Sequence, residues 1–213
     1  MIWKDYFDLE RDYKAIVRSF DEDAYLSEAV KAYYGVRILN QDPWEALCSF
    51  IISQNNNIPR IKGIISRLCE TFGEEIDENC YTFPSSKKLS GLTAEDLSSI
   101  RAGFRAKYII DAAQKVQSKE IDIYGLSNLP LKAAQDALIK IKGVGPKVAD
   151  CALLYGCKHY DAFPLDVWMK RVLSELYGEN LPNCNQKYLG IAQQYLFHWR
   201  RNLDSIEIVQ AKK

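Results

Sequence analysis

Lys147, Cys151 and Asp166 are the first residues in this chain whose types and spacing suit chemistry. A lysine amine attacks an electrophilic carbon when it is neutral and held in place. Lys147 follows Gly143-Val144-Gly145-Pro146 and opens a run in which Val148, Cys151, Ala152 and Tyr155 recur at intervals of three and four, the helical period. It therefore falls in the first turn of a helix, where the helix dipole disfavours a cation and so favours a nucleophilic amine. Cys151, four residues on, shares its face. Asp166 ends Phe163-Pro164-Leu165-Asp166 and precedes VWMKRVLSELY, a second apolar-periodic run, so it reads as a helix N-cap. Taken singly these features are commonplace: most surface lysines are only solvated, and most capping aspartates only cap. Together they suggest that lysine, glycine turn and carboxylate converge on one site.

The elements that must position them follow from the surrounding pattern. Leu138 and Ile141 before the turn and Val144 and Val148 after it read as two helices around Gly143 and Gly145, a helix-hairpin-helix over 131–156. The two glycines suit a tight turn with positive φ and close approach of a ligand, and the second helix start offers unpaired N–H groups to a phosphate. Upstream, Asp42-Pro43 and a dense apolar run predict a buried helix over 42–54. Gln54-Asn55-Asn56-Asn57 interrupts it, with Asn57 as the natural cap of an amphipathic helix from Ile58 to Phe72. Asp23 caps a helix through Tyr34, and Trp3, Tyr6 and Phe7 are expected to pack on the body. Residues 73–92 read as an acidic loop and Thr93 as the start of a short helix. A helix follows through Lys119, then one through Tyr177 after Asp166, and a last one over Gln186–Arg200. No stretch alternates with period two, so the fold class predicted is all-α, a two-lobed helical domain over 1–213 with a cleft between the lobes.

Composition bounds the function. The chain has 213 residues, 47% of them hydrophobic, enough for a sizeable core. Lysine plus arginine equals aspartate plus glutamate at 28 each, a zero net charge that argues mildly against nucleic-acid binding unless the cations are local. They are clustered in sequence, as Arg101, Arg105 and Lys107 and as Lys140, Lys142, Lys147 and Lys158. Six cysteines without a CxxC pair read as reduced thiols. No signal peptide or membrane-length apolar run is visible.

GVGPKVAD followed by FPLDVW resembles the lysine-type helix-hairpin-helix (HhH-GPD) DNA glycosylases, and among them the 8-oxoguanine DNA glycosylase/lyases. The resemblance runs from about Phe7 to about Phe197. It implies a base-excision-repair enzyme that flips 8-oxoguanine out of duplex DNA, removes it, and cleaves the abasic strand through a lysine Schiff base. Lys147 is then the nucleophile and Asp166 the assisting carboxylate. Cys151, Gln193 and Phe197 form the base pocket: cysteine and phenylalanine sandwich the ring, and the glutamine reads its Watson–Crick edge. SQNNNIPRI resembles the family's asparagine finger, in which Asn55 and Arg60 face the orphaned base; the bland alternative is a helix–helix turn capped by Asn57. Phe104 matches an aromatic wedge that fills the gap in the stack, the alternative being core packing. Arg105 matches an arginine near the orphaned cytosine, and Gly143 and Gly145 match the phosphate-binding hairpin.

The resemblance implies duplex DNA with 8-oxoguanine or abasic sites as partner, a monomer, no membrane and no catalytic metal. A monovalent cation at the hairpin carbonyls is in keeping with the family. Only Cys184 follows Cys157, so the four-cysteine iron–sulfur cluster of related glycosylases is not expected. Such an enzyme works in the bacterial or archaeal cytoplasm at the nucleoid, or otherwise in the nucleus. Two departures stand out. Trp168 occupies the position two after Asp166 where some relatives have histidine, and is assigned to DNA contact, stacking either near the site or near the 5′ phosphate. The chain is also expected to start after the family's N-terminal β-sheet domain, which implies lyase activity with weak, poorly selective 8-oxoguanine excision. The rival readings are another glycosylase specificity and a non-catalytic DNA-binding hairpin module.

Overall fold

The computed structural model describes residues 2–210, with side chains as far as Leu203. In chain order its helices are α1 (Ile2–Tyr6), α2 (Tyr13–Arg18), α3 (Ala24–Ala32), α4 (Pro43–Ser53), α5 (Ile58–Phe72) and α6 (Ser86–Ser90). Then come α7 (Arg105–Gln117), α8 (Leu131–Ile139), α9 (Pro146–Gly156), α10 (Val167–Leu176) and α11 (Leu189–Gln210). The all-α expectation holds but for a short antiparallel ribbon, β1 (Glu75–Asp77) with β2 (Cys80–Tyr81), inside the stretch read as an acidic loop. The chain divides into two compact units, residues 41–158 and residues 1–40 with 159–213.

The central unit is built on α4 against α9. Asp42 accepts the amide protons of Trp44 (2.9 Å) and Glu45 (3.0 Å), and Pro43 sits where no amide is needed. The helix buries Trp44, Ala46, Leu47, Cys48, Ile51 and Ile52, and the Trp44 indole N–H donates to the Pro84 carbonyl at 2.9 Å. Gly156 lets the two helices approach: a Cβ there would lie 2.9 Å from Pro43 Cα and 3.0 Å from Ala46 Cβ. α7 packs on α4 and α6, and α8 on α9. The segment after Thr93 is a 3₁₀ turn over Asp96–Ile100, not an α-helix; Asp96 and Thr93 satisfy each other's backbone amides at its start, and it stops at Arg101 in left-handed backbone, φ +57°.

In the terminal unit α11 packs on α3 and α10. Asp23 holds it together: its carboxylate caps α3 through Tyr25 and Leu26, and accepts the Tyr177 hydroxyl (2.9 Å) and the Asn183 amide (2.9 Å). Gln186–Tyr188, expected as the first turn of the last helix, is 3₁₀. The helix after Asp23 ends at Ala32, short of Tyr34. Trp3, Tyr6 and Phe7 contact one another, but Trp3 and Phe7 stay exposed instead of docking as expected.

Candidate active site

The hairpin is held from beneath by α7. Asp111 accepts the Lys142 amide proton at 2.7 Å and the Lys115 ammonium at 3.2 Å. Val144 donates to the Ile141 carbonyl at 3.0 Å, closing the turn. Gly143 takes φ +78°, and a Cβ there would overlap the Tyr108 ring, so the turn admits only glycine for two separate reasons. Gly145 departs from the expectation. Its φ is −98°, any residue can adopt that backbone, and a Cβ would meet nothing within 4 Å. What Gly145 provides is open space. Among the described residues the amides of Gly143, Gly145, Lys147 and Val148 have no hydrogen-bond partner, an array suited to an oxyanion at a helix start.

Lys147 is exposed in the first turn of α9, and Cys151 is buried one turn on. The Lys147 Nζ lies 5.7 Å from the centre of the Phe50 ring, which stacks on Tyr155 at 5.3 Å. Phe50 was not singled out from the sequence. Its signal was its place in the α4 apolar run on a position that is only half-buried, leaving a ring free to border the amine.

The finger and wedge residues meet through Arg105. Asn55 adopts the left-handed backbone (φ +46°) that asparagine tolerates better than other side chains, and its amide group is exposed. The Asn56 amide donates to the Ile52 carbonyl (3.0 Å), and Asn57 caps α5 by accepting from Arg60 N at 3.0 Å. The capping reading is therefore right for Asn57, while Asn55 and the exposed Arg60 stay available to a partner. Phe104 is 50% exposed, which excludes the core alternative. Its ring is edge-on to Tyr108 at 5.6 Å, with the Arg105 guanidinium 4.4 Å from its centre. Arg105, expected at the DNA surface, is 2% exposed. It donates from Nε to the Gln54 carbonyl (2.8 Å), from Nη1 to Ala102 (3.1 Å), and from Nη2 to Gln54 and to Asn55 (2.8 Å). Burial, and after it the Arg60 cation, pull its pKa below the usual guanidinium value.

In the terminal unit Asp166 caps α10, its Oδ1 accepting from Met169 N at 2.8 Å. Its second oxygen carries no hydrogen bond among the described residues. Gln193 is buried and donates through Nε2 to the carbonyl of Pro164, two residues before Asp166, at 3.3 Å. Its Oε1 accepts from Gln194, so the nitrogen and the oxygen of its amide each have a partner. Phe197, one turn on, is half-buried under the Arg201 guanidinium. Trp168 is 38% exposed and lies beside Arg171. The structure thus brings the predicted residues together in two sets: Gly143, Gly145, Lys147, Cys151 and Asn55, Arg60, Phe104, Arg105 in the central unit; Asp166, Trp168, Gln193, Phe197 in the terminal one.

Comparison with known proteins places this geometry. Residues 1–47 match the model of the 8-oxoguanine DNA glycosylase N-terminal domain, the domain after which the chain was expected to start; the described part of that stretch is helix and loop. The N-glycosylase/DNA lyase of Saccharomyces cerevisiae is 39% identical over 84% of this chain, which spans 53% of that protein, about half its length. The solved structure of MBOgg1 with a low affinity DNA ligand is 45% identical, covers 95% of this chain and is itself covered over 75%, with a TM-score of 0.86. The 8-oxoguanine glycosylase/lyase of Clostridium acetobutylicum, solved with double-stranded DNA containing cytosine opposite 8-oxoG, is 37% identical over 95% of this chain and 74% of its own, TM-score 0.85. Residues 48–187, the hairpin, Lys147 and Asp166 among them, match the model of the superfamily itself, and the chain belongs to the HhH-GPD superfamily of base excision DNA repair proteins.

Proposed function

We propose that this protein is a bifunctional DNA glycosylase and β-lyase that removes 8-oxoguanine from duplex DNA. The observation that carries the reading is the exposed Lys147 amine beside unpartnered amides at the start of α9, in a chain 37% identical to a glycosylase/lyase solved on such a duplex. The amides take a backbone phosphate, while Phe104 fills the gap left by the flipped nucleotide and Asn55 and Arg60 meet the orphaned base. The neutral Lys147 amine attacks the sugar C1′. The C1′–N9 bond breaks with its electron pair leaving on the base, which takes up a proton. The amine nitrogen loses one proton; the C1′–O4′ bond then breaks, O4′ keeping its electron pair and taking up a proton, while the nitrogen lone pair forms the C=N bond of a Schiff base. That iminium acidifies the C2′ hydrogen; its removal expels the 3′ phosphate, and water then releases Lys147. The Asp166 carboxylate, with one oxygen uncommitted, stabilises positive charge at C1′ as the base departs. Cys151 and Phe197 hold the base faces and Gln193 its edge, once the glutamine exchanges its Pro164 and Gln194 partners for the base.

The carbonyls of Lys142 and Val144 accept no backbone hydrogen bond among the described residues. They are neutral oxygens of the kind a monovalent cation takes, and such an ion would add positive charge beside the phosphate. The enzyme acts as a monomer on DNA.

Borohydride trapping tests the reading on duplexes carrying 8-oxoguanine opposite each of the four bases. A covalent adduct and strand cleavage, strongest opposite cytosine, are expected. Trapping only on duplexes with other damaged bases would assign a different specificity. Duplex binding without any adduct, on abasic sites included, would reduce the protein to a DNA-binding hairpin.

A further inference from the structure

Wedge and hairpin are mounted on one face of one helix. Phe104, Tyr108 and Asp111 follow one another at the start of α7 with spacings of four and three, so their side chains form a single row. Asp111 holds the hairpin by its backbone, its carboxylate accepting the Lys142 amide proton at 2.7 Å. Tyr108 holds the next residue by shape: a Cβ on Gly143 would overlap its ring, so the bare glycine lies directly against that ring. The same half-buried ring meets Phe104 edge-on, with centres 5.6 Å apart and planes at 67°. Phe104 remains 50% exposed, so this contact leaves the outer part of the wedge uncovered.

We propose that Tyr108 is a positioning residue that sets the offset between the gap-filling wedge and the phosphate-binding turn, so that both engage one duplex in register. This rests on the glycosylase reading above, which gives wedge and turn their meaning. The physical case is one of rigidity. From Phe104 to Asp111 the helix rises about 10 Å, and groups mounted on a helix are held more precisely than groups on loops. A flat ring suits the post because it offers a face to the glycine and meets Phe104 edge-on at the same time. An aliphatic side chain of similar bulk fills the space without fixing either neighbour's plane. Lys147 lies four residues beyond Gly143, so the same offset decides where the amine stands relative to the nucleotide that the wedge displaces. A misplacement of about 1 Å is enough to slow such a reaction on the order of a hundredfold.

The test is a cycle of Y108L, F104L and the double variant, with Y108F beside them. Single-turnover excision of 8-oxoguanine opposite cytosine, at saturating enzyme, should fall about tenfold in Y108L and about tenfold in F104L. The double variant should also fall about tenfold and not a hundredfold, because without the wedge there is no offset left for Tyr108 to set. Losses that multiply would show Tyr108 acting independently of the wedge and overturn the proposal. Affinity of Y108L for undamaged duplex should stay within about threefold of wild type, since the turn still takes its phosphate. A fall there as large as the fall in excision would make Tyr108 a prop for the turn alone, and equally overturn it. Y108F keeps the ring and should excise at the wild-type rate; a rate as low as that of Y108L would assign the effect to the hydroxyl and sink the idea. Should Y108L melt below the assay temperature, Y108M, flexible and without a ring, is judged by the same criteria. If the wild-type protein neither excises 8-oxoguanine nor traps on it, the glycosylase reading fails. The same cycle, read as preference for a duplex with a tetrahydrofuran gap over an intact one, then decides the coupling by itself.

Discussion

Asp166 carries two roles on one carboxylate, and the roles separate chemically. Its Oδ1 caps α10 at 2.8 Å, which an asparagine oxygen does equally well; its second oxygen supplies charge, which asparagine cannot. Asp166→Asn should therefore keep the wild-type melting temperature and slow single-turnover excision by roughly 10²–10³-fold, the cost of removing one electrostatic stabiliser from a reaction centre. Wild-type rates in that variant would leave the residue a cap only. Lys147 is exposed, and among the described residues no side-chain hydrogen bond or ion pair holds its amine, which lies 5.7 Å from the centre of the Phe50 ring. Lys147→Gln should abolish both base excision and the borohydride-trapped adduct, while affinity for lesion duplex changes by no more than a few-fold. An adduct formed by the variant would move the nucleophile to another amine.

At the scale of the element, the hairpin separates two glycines that look alike in sequence. Gly143 is required by the fold, through its φ of +78° and the Tyr108 ring beneath it; a Cβ at Gly145 would meet nothing within 4 Å among the described residues. Gly143→Ala should cost at least the ~1–2 kcal/mol of a left-handed alanine, and so lower the melting temperature by about 2–8 °C. Gly145→Ala should leave the melting temperature alone and weaken duplex binding, because its methyl would stand where a phosphate approaches the α9 amides. Calorimetry and fluorescence anisotropy on the two variants check this; a shared phenotype would mean the turn acts as a single structural unit. The contrast also marks what the sequence can reveal. Caps at Asp23, Asp42, Asn57 and Asp166 were legible because a cap is a contact over two or three residues, written in local order. The β1–β2 ribbon was not: five exposed or half-buried strand residues have no apolar alternation to display. Neither were the engagement of Arg105 with Gln54 and Asn55 nor that of Gln193 with Pro164, since each joins positions 29 to 51 residues apart. Residue types identified these two side chains as important, and only the fold revealed what they hold.

At the scale of the whole molecule, a net charge of zero sets how DNA is met. With 28 basic residues balanced by 28 acidic ones, the long-range field is weak and gives little electrostatic steering, so binding must rest on local cations. Exposed cations are present in the central unit at Arg60, Arg101, Lys107, Lys140, Lys142 and Lys147. Arg105 does not add to them, being buried. If about four cations reach phosphates, the logarithm of the non-specific affinity should fall against the logarithm of salt concentration with a slope of about −3 to −4, a loss of ~10²-fold between 50 and 200 mM. Lys142→Ser should lower the steepness of that slope by about one while leaving opposite-base preference untouched, since a phosphate contact carries no sequence information. Anisotropy titrations across that salt range decide it. A slope near zero would mean that the exposed lysines of the hairpin face away from the backbone. A slope near −10 would demand more phosphate contacts than these six residues supply, and the footprint would then have to take in further exposed cations such as Lys62 and Lys158.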